Sequence, residues 1–170
     1  MSLQVWNDSA KLERTSRFSV QEEGMGRQWF VRILRSAAMP PGCTYQLSDR
    51  FDFVIVTRAE QWDQLARATN LDAAGHRPDF SRGVVVGLAA RIGESRPDQW
   101  PIVVSSVRQR GRVAFLYGEF RDGFYRPLMV PPYLHLVYVA NIETLLGVKI
   151  NQMLFGFNVE IEQLNQAGIR

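Results

Sequence analysis

The side chains best suited to acid–base, nucleophilic or metal chemistry are scarce in this 170-residue chain: His76 and His135 are its only histidines, and Cys43 is its only cysteine. A zinc centre takes three or four ligands from His, Cys and carboxylates. His76 and Asp79 share one loop and supply two at most, a spacing that ordinary solvated loop residues produce as well. Cys43 acting as a nucleophile needs a base within hydrogen-bond reach and a third group to orient that base. His135 is the base to consider, but it alternates with apolar neighbours in "PYLHLVYVA", as a hydrogen-bonded core histidine does. The chain holds no G-x-S-x-G, H-E-x-x-H or G-x-x-x-x-G-K. No catalytic residue, metal ligand or cofactor site is assigned, and the chain reads as a non-enzyme.

The densest chemical signal is instead "RQRGRVAFLYGEFRDGFYRP", residues 107–127 less the opening valine. Arg108, Arg110, Arg112, Arg121 and Arg126 interleave with Phe115, Tyr117, Phe120, Phe124 and Tyr125. Single-stranded nucleic acid is held by such mixtures, with cations tracking phosphates and aromatic faces stacking on bases. The plainer reading has Phe115 and Tyr117 alternating into a core while Arg108 to Arg112 decorate a hairpin tip. Glu119 and Asp122 dilute the charge.

Composition sets the frame for these residues. Hydrophobic residues make up 46% and charged residues 22%, values typical of folded globular chains. The net charge is only +3, and of the basic residues only Lys11 and Lys149 are lysines. Arginine suits bidentate pairing with carboxylate or phosphate, although a general arginine bias gives the same count. No apolar run approaches the roughly 20 residues that span a bilayer as a helix. The start, "MSLQVWNDSAKLERTSRF", lacks the basic-then-apolar order of a secretory leader, so the cytoplasm is the default compartment unless a leader has been removed.

The elements that must position these residues read mostly as strands. Period-two alternation recurs in "FSVQ", "WFVRILR", "RFDFVIVT", "IVVSSVRQ", "RVAFLYGEF", "PYLHLVYVA" and "FNVEI". The glycines of "EEGMGR" suit a hairpin connection, as does the "RG" between two later strands. Residues 83–92 form a valine-rich run, apolar but for Arg91, which predicts a strand buried on both faces. One helix is expected over about 58–69. Thr57 and Glu60 carry a capping-box spacing, and Trp62, Leu65, Ala66 and Thr69 form its apolar stripe. The fold class is therefore α+β and β-dominated: an antiparallel β-sandwich or barrel-like sheet with one packed helix, in a single domain covering 1–170.

Between residues 51 and 140 the order of motifs resembles a known family. The chain reads "FDFVIVTRAEQWDQL", then "PDFSRGVVVGLAARIGESRP", then "PPYLHLVYV". The matching residues are Trp62, Asp79–Phe80–Ser81, Gly93, Arg96–Pro97 and Pro132–Tyr133. This is similar to the C-terminal domain family of the protease complex subunit PrcB. The chain departs from it after Arg96–Pro97, where "DQWP" replaces a glycine pair and tyrosine. The resemblance implies a compact β-rich domain without catalytic residues, of a kind that assists a protease or cell-envelope complex. It leaves the segments before Phe51 and after Ala140 as extra strands on the same core or as partner-binding elaborations.

Together these readings lead to a non-catalytic protein-interaction or accessory domain with a protein partner. Its candidate surface comprises Arg108, Arg110 and Arg112 and the strand bearing Phe157, Val159 and Ile161. Nucleic-acid binding around 108–126 is the alternative, with a small-ligand barrel behind it.

Overall fold

A computed structural model describes residues 25–32, 42–69, 71, 77–90, 100–121 and 133–161. Among the described residues nine strands and one helix follow in chain order: β1 (Met25–Arg32), β2 (Thr44–Gln46), β3 (Phe51–Val56), α1 (Ala59–Thr69), β4 (Gly83–Ala90), β5 (Ile102–Arg110), β6 (Val113–Phe120), β7 (Tyr133–Ala140), β8 (Thr144–Ile150) and β9 (Met153–Glu160). They build two stacked sheets, one ordered β1-β7-β4-β3-β2 and the other β5-β6-β8-β9. The expected α+β, β-dominated class is what the chain adopts.

The valine-rich run explains the layering. β4 lies at the centre of the five-stranded sheet and is buried along its whole length. Val85 and Ala89 face α1, whereas Val84, Val86, Leu88 and Ala90 face the second sheet. A strand covered on both faces has no polar side to show, hence the absence of alternation. Gly87 interrupts the run because β7 packs too close for a side chain: a Cβ there would lie 2.5 Å from the His135 carbonyl oxygen.

Helix α1 forms the third layer. Trp62, Leu65, Ala66 and Thr69 are buried, as the stripe predicts, and Trp62 meets Trp29 of β1 with ring centroids 4.9 Å apart. Gln64 and Arg67 are exposed, and Asp63 pairs with Arg77 at 2.6 Å. The cap differs from the expected capping box by one residue. Gln61, not Glu60, reaches back, its Oε1 accepting the Thr57 backbone N–H at 3.1 Å. The helix begins at Ala59, with the Arg58 carbonyl accepting its first N–H bond, so Gln61 at the third helical position reaches one residue beyond the N-cap that a capping box engages.

Two connections also depart from the sequence reading. Met25 and Gly26 lie inside β1, with a register irregularity between Met25 and Gln28, so these two residues belong to a strand instead of a hairpin turn. The β6–β8 pair is parallel within an otherwise antiparallel fold. After β6 the chain crosses to the first sheet to make β7, then returns as β8 beside β6. Two sheet changes restore the direction. The "RG" hairpin holds, with Gly111 at φ 61° between β5 and β6.

The candidate strand "FSVQ", His76, Gly93, Arg96, Pro97, Phe124, Tyr125, Arg126 and Pro132 lie outside the described residues. No described helix is long and apolar enough to cross a membrane.

Candidate functional site

Cys43 and His135 are placed on opposite faces of the first sheet. Cys43 packs in the helix-side core beside β2 and β3, where burial pushes its thiol up to about 11 despite the Arg58 guanidinium. His135 stands on β7 and faces the second sheet. Its Nδ1 accepts the Val104 backbone N–H at 2.6 Å, and its Nε2 lies 3.0 Å from Gln28 Oε1. With Nδ1 accepting, the ring is neutral and Nε2 donates to Gln28. Phe30 stacks on the ring at 4.1 Å with an interplanar angle of 9°. Burial lowers its pKa to about 3. His135 thus ties β7 to the backbone of β5, where the β5–β6 register shifts between Val104 and Ser106. The role is architectural.

Asp79 belongs to the turn that launches β4. Ser81 donates its backbone N–H at 3.0 Å and its hydroxyl at 2.5 Å to Asp79 Oδ1, and these bonds lower the Asp79 pKa. The Tyr138 hydroxyl donates to the Asp79 carbonyl at 2.7 Å. Among the described residues no group of three or more His, Cys, Asp and Glu side chains could hold a metal ion.

Among the described residues the large apolar side chains left exposed, Val113, Leu146, Met153 and Leu154, all lie on the second sheet. Directly opposed residues share a face. Ala114, Leu116, Gly118 and Phe120 of β6 face inward, which turns Phe115 and Tyr117 outward. The expectation that Phe115 and Tyr117 enter the core is therefore corrected. Arg108 pairs across the ladder with Phe115, and its guanidinium lies 4.4 Å from the Tyr117 ring centroid. Arg110 stands opposite Val113 and is exposed, while Arg112 lies in the turn and forms an ion pair with Glu143. Tyr117 is aligned with Lys149 of β8, and Lys149 with Leu154 of β9. Among the described residues neither Arg110 nor Lys149 pairs with a carboxylate.

β9 is the edge of this sheet, paired only with β8 among the described residues. Phe157 and Val159 are half-buried and pack against the inter-sheet core, Phe157 at 5.1 Å from Phe53. Ile161 is buried just beyond the strand, its N–H donated to the Glu143 carbonyl. So the side chains of Phe157, Val159 and Ile161 line the core flank, and the strand's outward face belongs to Leu154, Gly156 and Asn158. Leu154 is 66% exposed, and Leu146 of β8 and Met153 are 45% and 43% exposed. Sequence reasoning passed over these three large apolar residues. Alternation identifies two faces but not which one is covered.

Of the motif residues behind the family resemblance, Trp62 fixes α1 to its sheet, Asp79 and Ser81 build the turn before β4, and Tyr133 lies in the inter-sheet core. No family model, curated protein or solved structure matches the chain.

Proposed function

We propose that the protein is a non-catalytic interaction module that docks through the β9 edge. One observation supports this reading above the others. β9 is an eight-residue edge strand, "MLFGFNVE", with neither lysine nor proline and with exposed apolar side chains; its ladder with β8 is regular over Met153–Gly156 and slips once, between Gly156 and Val159. Edges of this kind are normally blunted by charge, proline or short length, because their free N–H and C=O groups recruit another strand. An extended segment added here gains backbone hydrogen bonds, and its alternate side chains extend the core flank beyond Phe155, Phe157 and Val159. An accessory role in a larger protein complex, as the family resemblance implies, fits such an edge.

Hydrogen exchange on dilute protein tests the edge. Over Met153–Gly156, where the ladder with β8 is regular, alternate β9 amides that point away from β8 are expected to exchange close to intrinsic rates, and their neighbours bonded to β8 to be protected. Uniform protection along β9 in the monomer contradicts the reading.

A second reading has its own observation. Phe115 and Tyr117 face outward with Arg108 over one ring, and among the described residues Arg110 and Lys149 pair with no carboxylate, a surface suited to stacked bases and phosphates. If single-stranded nucleic acid binds here, affinity for a short labelled oligonucleotide falls with salt. Arg110→Ala and Lys149→Ala should then each reduce the salt slope by about 1. Salt-independent binding, or none, removes this reading.

A further inference from the structure

We infer that the occupant of the β9 edge is a second copy of β9, paired antiparallel about a twofold axis through Gly156. The inference rests on the docking role of that edge. Its warrant is the self-complementary pattern of the strand. In antiparallel pairing centred on Gly156, Phe155 faces Phe157 of the second copy, Met153 faces Val159, Leu154 faces Asn158, and Gly156 faces itself. The half-buried Phe155 and Phe157 then meet each other, and Val159 meets the exposed Met153. No charged residue falls within that span.

Neighbouring registers are worse. Shifting by two residues one way sets Glu160 opposite the exposed Leu154, and the other way sets Val159 opposite Asn151. A one-residue slip brings core-facing positions opposite outward ones. The twofold form is isologous, so one patch completes both copies and the assembly closes at two. It joins two four-stranded sheets into one continuous sheet, and it covers the Phe155, Phe157 and Val159 flank on both sides. Gly156 at the axis has open space where a Cβ would stand, so the monomer does not need glycine there for packing.

That openness supplies the test. Residues facing across an antiparallel pair have Cα atoms about 4.5–5.5 Å apart, inside the roughly 4.4–6.8 Å that a disulfide bridges. Gly156→Cys should therefore form a covalent dimer under mild oxidation. Asn158→Cys should not, because the register puts its counterpart four residues along, about 13 Å away. Cys43 is buried and does not compete. A dimer through Gly156→Cys but not Asn158→Cys, with both variants folded, is the expected result. Equal cross-linking of both, or cross-linking of neither, overturns the inference. These results are separable from failure of the docking role: β9 amides that exchange freely while neither cysteine links mean an open edge that takes a different strand, whereas β9 amides protected in the monomer refute both.

Discussion

Lowering the pH from 7 to 4 is expected to cost the fold roughly 3 kcal/mol through His135 alone, at about 1.4 kcal/mol per pH unit. The folded state holds the ring neutral, with a pKa lowered from 6.5 to about 3 by complete burial. Between those values the unfolded chain binds a proton that the folded chain refuses. Stability is therefore fully present above pH 6.5 and is lost as the pH falls toward 3. Protonation would also place a hydrogen on Nδ1, against the Val104 N–H that it accepts at 2.6 Å. The surrounding groups, Gln28, Phe30 and Val104, carry no charge that could compensate. Urea unfolding of the wild type and of His135→Gln at pH 7, 5.5 and 4 checks this. The gap between them should narrow as the pH falls, since only the wild type pays for keeping imidazole neutral. A constant gap would show that the ring titrates normally.

The second large effect is expected at Trp62, where truncation to alanine should remove about 3–5 kcal/mol. The indole is almost wholly buried, packs at a tilt of 57° against Trp29 and anchors α1 to the sheet. Against a total stability of roughly 5–15 kcal/mol, such a loss brings the domain near its unfolding threshold at 37 °C. Trp62→Phe should be far milder than truncation. Its Nε1 has no hydrogen-bond partner among the described residues, so the substitution sacrifices packing volume but no bond. Urea midpoints for the pair decide it. Equal losses for alanine and phenylalanine would mean that the N–H, not the ring, matters.

Some of this architecture was legible in the residues. The unbroken apolar stretch around Val84 to Leu88 could only be a strand covered on both sides, or a buried helix too short to suit its length, and its valines favoured the strand. The stripe of Trp62, Leu65, Ala66 and Thr69 located α1 to within a residue. Other features depended on neighbours that no local pattern reveals. β8 went unread because its alternation breaks: Leu145 and Val148 both face inward, with Leu146 and Gly147 between them in a register shift. The same ambiguity hid the outward placement of Phe115 and Tyr117. Their strand alternates as well one way as the other, and it is Gly118 that decides, its missing Cβ leaving space for Leu88 of the opposing sheet. The partnership of His135 with Val104 spans two sheets, so spacing could not announce it.

The candidate site was legible in part for the same reason. The strand carrying Phe157 and Val159 was recognised as alternating, but the parity that exposes Leu154 and Gly156 came from packing against Phe53. Sequence supplied the strand; burial supplied its usable side.

Sedimentation of the wild type beside Gly156→Lys tests the β9 account most directly. The account expects the 19.4 kDa chain to shift from monomer to dimer with rising concentration. The lysine variant should stay monomeric with an unchanged melting temperature, since two ammonium groups would meet at the axis. A wild type and variant that associate equally, or a wild type that stays monomeric at every concentration, would contradict it.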